Sequence, residues 1–113
     1  MNDSTLARVF AHIEANRDSF ITRLTDYVRH PSISAQNIGI REVAELLAGH
    51  LRGLGMAVEE IETPGHPMLF GQLGSDPSRP TILLYGHYDV QPPEPLEEWL
   101  SPPFEPTIRD GRI

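Results

Sequence analysis

The chain contains no cysteine, and its nine basic residues are all arginine. Without cysteine there is no disulfide, no thiolate nucleophile and no Cys-ligated zinc, so any metal site must be built from His, Asp and Glu. The absence says little about redox compartment. Without lysine there is no Schiff-base nucleophile, no P-loop lysine and no lysine general base. Apolar runs are only a few residues long, too short for a transmembrane helix. The opening Met1-Asn2-Asp3-Ser4 lacks the basic start and apolar run of a secretory signal, so a cytoplasmic location is the default expectation. No Gly-rich phosphate loop, nucleophile elbow or basic patch is present. The net charge of -7 argues against nucleic acid and anionic membrane surfaces as partners, while leaving room for a metal ion.

What is there is ordinary globular material: 113 residues, 39% hydrophobic and 22% charged, enough for one small domain with a modest core. Leu6, Val9, Phe10, Ile13, Phe20, Ile21, Leu24, Tyr27 and Val28 recur at helical spacing, predicting a first helix. Asp3 or Ser4 can cap its start, and Pro31 bounds its end. After a polar connector, Ile40, Val43, Leu46, Leu47, Leu51 and Leu54 predict a second helix, closed by Gly53 and Gly55. Ala57 to Ile61 and Met68 to Leu73 read as two strands joined through the turn Thr63-Pro64-Gly65-His66-Pro67. A second turn cluster, 74–80, leads into Thr81-Ile82-Leu83-Leu84-Tyr85, whose continuous apolar pattern predicts a strand covered on both faces. The proline-dense stretch from Pro92 to Pro106 excludes helix interior and central strand, leaving an ordered loop pinned by Trp99 and Phe104. Thr107-Ile108-Arg109 and the turn signal Asp110-Gly111 follow. The expected fold class is α/β: two helices, then strands of a mixed sheet. A central strand needs a neighbour on each side. Few are in view, so the chain reads as the first part of a larger domain.

The chemistry concentrates at Gly86-His87-Tyr88-Asp89-Val90. In extended backbone, residues i and i+2 point to one side, so His87 and Asp89 emerge together. They sit beyond the C-terminal end of the apolar run, where open α/β sheets build their sites. Both could ligate one metal ion. In the favoured arrangement, His87 binds the metal through one ring nitrogen while Asp89 accepts a hydrogen bond from the other, fixing the imidazole tautomer. The same pair also fits a satisfied polar contact with no metal. Other candidates are weaker. His12 and His50 read as solvated helix residues, His30 as a helix-terminal cation, and His66 as an exposed turn residue. Glu59, Glu60, Glu62, Glu94, Glu97 and Glu98 read as solvated charge.

Gly86-His87-Tyr88-Asp89-Val90-Gln91-Pro92, followed by Trp99 and by Pro102-Pro103-Phe104-Glu105-Pro106, closely resembles the di-zinc metallopeptidase family. That family includes carboxypeptidases, acetylornithine deacetylase, succinyl-diaminopimelate desuccinylase, aminoacylase and carnosine-type dipeptidases. The connector Pro31-Ser32-Ile33-Ser34 and the helix ending near Leu54-Gly55 match as well, and Tyr88 with Gln91-Pro92 looks most like the dipeptidase branch. The resemblance implies that residues 1–113 are the N-terminal portion of a catalytic α/β sandwich, with the remainder and a smaller lid domain absent. It assigns His87 as a zinc ligand and Asp89 as the catalytic aspartate that orients it. It implies two zinc ions per full-length site, with manganese or cobalt as alternatives. The implied reaction is hydrolysis of peptide or N-acyl amide bonds, dipeptides above all, by a metal-bridged water with a glutamate base. The implied partners are a small peptide or N-acyl amino acid substrate and a second copy in a homodimer. The bridging aspartate, the glutamate base and the remaining ligands would lie beyond Ile113, so the chain alone is expected to be inactive. Two alternatives stand beside this: a catalytically dead homologue serving as a binding subunit, and a non-enzymatic α/β domain with a structural His–Asp pair.

Overall fold

A computed structural model describes residues 3–113. Helices α1 (Asp3–Ala15), α2 (Arg17–Val28) and α3 (Ile40–Gly53) precede strands β1 (Ala57–Ile61) and β2 (Met68–Gln72). The fold class is α/β, as expected, with three helices in place of two. The single first helix of the sequence reading is divided at Asn16, whose side-chain amide donates to the His12 carbonyl at 2.8 Å. The same carbonyl also accepts the Asn16 backbone amide at 3.1 Å, and Asn16 itself leaves the helical region at φ -114 and ψ 11. The helix starts at Asp3, so Ser4 lies inside its first turn; the capping expectation at Asp3 falls on a side chain outside the described residues.

The packed centre is α3 on the hairpin. β1 and β2 pair antiparallel from Ala57 opposite Gln72 to Ile61 opposite Met68. α3 lies across both strands. Its buried face is Ile40, Val43, Ala44 and Ala48, and Val43 is fully buried. Leu46, Leu47 and Leu51 are half-buried, and Leu54, expected on the buried face, is exposed. Complete burial of a side chain such as Val43 is worth about 1.5–3 kcal/mol, so this small cluster carries much of the order.

The connector between α2 and α3 is the second ordered unit. Ile33 and Ile38 exchange backbone hydrogen bonds at 2.9 and 3.1 Å, closing a short loop around the 3₁₀ turn Ser34–Gln36. Gly39 then enters α3 with φ +68, and a Cβ there would sit 1.8 Å from the Pro31 carbonyl oxygen. Only glycine fits that approach and that backbone angle. Ser32 and Ile33 are buried, and the Val90 amide donates to the Ser32 carbonyl at 2.9 Å.

The remainder is open. The radius of gyration is 17.3 Å, against about 13 Å for a compact domain of this length. The accessible surface is 9286 Å², against about 6200 Å² for a folded monomer of this mass. The strand expected at 81–85 is not formed: the segment has no ladder partner among the described residues, and exposure runs from 82% at Ile82 to 93% at Tyr85. The physical reason is the missing neighbour, since an apolar run becomes a strand only when backbone on either side takes its hydrogen bonds. In the proline-rich loop the Trp99 indole N–H donates to the Pro93 carbonyl at 2.7 Å. Arg109 and Arg112 form a bridge across Asp110 and Gly111, both at positive φ, which makes a tight hairpin turn. Among the described residues no helix is long and apolar enough to cross a membrane.

Candidate functional site

Backbone register builds the site. Val90 is held beside Ile33 by a parallel bridge, which fixes where residues 87–89 must lie. The segment is not a ladder strand, yet its side chains alternate. His87 and Asp89 meet on one side. Tyr88 turns to the other, where its phenol donates to the Pro67 carbonyl at 2.5 Å. The hairpin turn therefore buttresses the back of the segment, and Tyr27 at the end of α2 donates to the Tyr88 carbonyl at 3.4 Å.

The His87 Nδ1 lies 3.1 Å from Asp89 Oδ1 and 2.8 Å from the Asp89 carbonyl oxygen. The carbonyl can only accept, so Nδ1 carries the proton and donates to both. In the neutral ring this leaves the lone pair on Nε2. The His87 side chain is 75% exposed, so that lone pair is accessible. The second oxygen, Asp89 Oδ2, accepts from the Ser34 hydroxyl at 2.6 Å. The Ser34 hydrogen bond holds the Asp89 carboxyl below its ordinary range, with a smaller contribution from His87 and partial burial opposing. Burial pushes the Tyr27 phenol up, helped by the Asp89 charge. Tyr88 is raised mainly by burial as well. Both phenols therefore stay protonated and act as donors.

His66, expected as an exposed turn residue, is half-buried: its Nε2–H donates to the Ser34 carbonyl at 3.1 Å. Glu60 and Glu62 face Arg41, and Glu62 pairs with it at 2.8 and 3.0 Å. Sequence pattern picks out His87 and Asp89 but not Ser34, Tyr88 or His66 as their supports. The one available signal is Pro31-Ser32-Ile33-Ser34, a match to the family that carried no role for Ser34.

The residues present suit a metal in part. His87 offers one prepared nitrogen, with its tautomer fixed by a carboxylate in the manner typical of metal-ligating imidazoles. Among the described residues no group of three or more His, Asp or Glu could hold an ion. What the described residues bring together is one imidazole and the carboxylate that it faces.

No protein-family model matches the chain. Individual relatives do. It is 34% identical to a Beta-Ala-His dipeptidase of Mus musculus over 96% of this chain and 25% of the relative. It is 32% identical to a Cys-Gly metallodipeptidase of Schizosaccharomyces pombe over 96% of this chain and 26% of the relative. A succinyl-diaminopimelate desuccinylase of an Azoarcus species is 39% identical over 78% of this chain and 22% of the relative. The chain therefore spans about a quarter of the length of the curated relatives it matches. Among solved structures, an M20 family metallo-carboxypeptidase from Sulfolobus solfataricus superimposes with a TM-score of 0.74 at 36% identity, over 80% of this chain and 21% of that one. Over the portion of the fold that it spans, the chain is similar in sequence to metallodipeptidases and in fold to an M20 family metallo-carboxypeptidase.

Proposed function

We propose that the protein carrying this chain is a metal-dependent dipeptidase in which His87 binds the ion through Nε2 and Asp89 holds the imidazole for it. One observation carries the site assignment: His87 Nδ1 is committed to two acceptors on Asp89, at 2.8 and 3.1 Å, which leaves Nε2 free and aimed outward. A bound divalent ion supplies Lewis acidity and an activated nucleophile near neutral pH. The chain's own contribution is to present the donor nitrogen in one tautomer, hold it in one plane and place a negative charge behind it. The rest of the ion's ligands, the base and the substrate contacts lie outside this quarter-length segment in this proposal. Zinc, two ions per site, dipeptide substrates, a homodimer and a cytoplasmic location are the finer parts of the reading, and sequence likeness to dipeptidases supports the substrate class.

The test is metal content and dipeptide hydrolysis by the purified full-length protein and its His87→Ala variant, with β-alanyl-histidine and cysteinyl-glycine as substrates. His87→Ala should lose bound metal and hydrolysis together, with the fold intact by circular dichroism. Full metal content in the variant would leave the His–Asp pair as a structural contact. A wild-type protein that binds metal but hydrolyses neither peptide would fit a binding subunit instead.

A further inference from the structure

We propose that Ser34 is a positioning residue for the His87 metal ligand, clamping the Asp89 carboxylate through Oδ2 so that Oδ1 stays on the imidazole. The inference deepens the reading above and rests on it. Its basis is a chain of contacts: Ser34 Oγ to Asp89 Oδ2 at 2.6 Å, then Asp89 Oδ1 to His87 Nδ1 at 3.1 Å.

A carboxylate on the rim of a site needs such a clamp. The terminal torsion of Asp is broad, so a single contact to a ring nitrogen does not fix its plane. Asp89 retains 38% side-chain exposure, and water competes for both oxygens. A second hydrogen bond from the opposite side removes that freedom. A charge-assisted O–H donor at 2.6 Å is among the stronger kinds available.

Ser34 is itself placed without slack. Its carbonyl accepts from His66 Nε2 at 3.1 Å and from the Asn37 amide at 3.1 Å. The residues before it, Ser32 and Ile33, are buried and hold Val90 directly. Ser34 and Asp89 are thus each one residue from the Ile33–Val90 bridge, so the bridge sets the hydroxyl against the carboxylate. Among the described residues, the hydrogen bond that the Ser34 hydroxyl donates goes to Asp89 Oδ2.

The experiment compares Ser34→Ala, Ser34→Thr and Ser34→Cys in the full-length protein, reading zinc affinity by chelator competition and, separately, kcat and KM. His87→Ala serves as the reference for loss of the ligand itself. Losing a hydrogen-bond partner behind a metal ligand should weaken zinc about tenfold in Ser34→Ala, lowering kcat with KM unchanged. Ser34→Thr keeps the hydroxyl and should recover most of the loss. Ser34→Cys keeps the size but donates weakly, and should resemble the alanine variant. The ranking of Thr above Cys decides the matter even if Ser34→Ala fails to fold. Wild-type zinc affinity in both the alanine and cysteine variants would overturn the proposal, as would a functional Cys beside an impaired Thr, which means packing alone. Unchanged zinc affinity in His87→Ala would overturn the underlying reading, and this inference with it.

Discussion

The α3–hairpin unit and the 81–86 segment contain similar residues in opposite circumstances. Ile40 and Val43 are out of water, whereas Ile82, Leu83 and Leu84 are each more than four-fifths exposed. The difference lies in what stands opposite each, not in side-chain chemistry. α3 has a hairpin to cover, and the hairpin has a helix. Among the described residues the 81–86 segment has no backbone partner on either side, and the chain is next held at Tyr88, through Pro67 and Tyr27, and at Val90, whose amide the Ser32 carbonyl receives. Apolar content states a demand for burial, and neighbours decide whether it is met. The site forms at the seam between the two circumstances.

Several measurements break or sharpen that contrast. The largest effect is expected at Val43→Asp. A carboxylate in the one large side-chain position that is fully buried among the described residues should cost about 3 kcal/mol or more, read as a fall in the thermal midpoint. Leu84→Asp in the same chain should shift stability by less than about 0.5 kcal/mol, as surface changes do. Equal costs for the two would erase the comparison. Hydrogen exchange reads it without mutation: amides of α3 and the hairpin should be protected, while those at 82–86 exchange as in an open chain.

Gly39→Ala comes next. It forces a Cβ against the Pro31 carbonyl at a positive φ, and should cost about 1–3 kcal/mol. Because Pro31 leads directly into Ser32, the full-length variant should also bind metal less tightly. Tyr88→Phe removes the donor to Pro67 and should cost about 1 kcal/mol, with a smaller loss of zinc affinity than Ser34→Ala. The smallest effect is expected at Glu62→Gln, which breaks an exposed pair. Arg41 holds the Glu62 carboxyl below its ordinary value, chiefly through their hydrogen bond. A depressed folded value means that the pair's contribution is present above the unfolded carboxylate range and is lost as pH falls through the folded value. Thermal midpoints of wild type and Glu62→Gln should therefore differ slightly at neutral pH and converge in acid.

Much of the architecture is legible in the sequence because α3 and the hairpin satisfy their own patterns with residues close by. The break at Asn16 is not legible, since the apolar stripe runs through it and the interruption is a single residue whose backbone leaves the helical region, at φ -114 and ψ 11. The 81–85 strand is readable as a need and not as an outcome, because no backbone among the described residues pairs with it. At the site, the His-x-Asp spacing foretells a shared side. Ser34 lies 55 residues away from Asp89, and a lone serine in a polar connector carries no periodicity to mark it. Only the fold brings it across.

The alternation at residues 87–89 has a consequence for how such a chain can vary in length. Tyr88 is tied behind to Pro67, and Val90 is tied beside Ser32, so the segment is keyed from two directions. Sliding it by one residue would present a phenol where the imidazole and carboxylate now stand. Gains or losses of single residues can be absorbed in the exposed turn at 74–80. Between Gly86 and Val90 they would behave as frameshifts of geometry, erasing the donor at a stroke while leaving every amino acid of the motif in the chain.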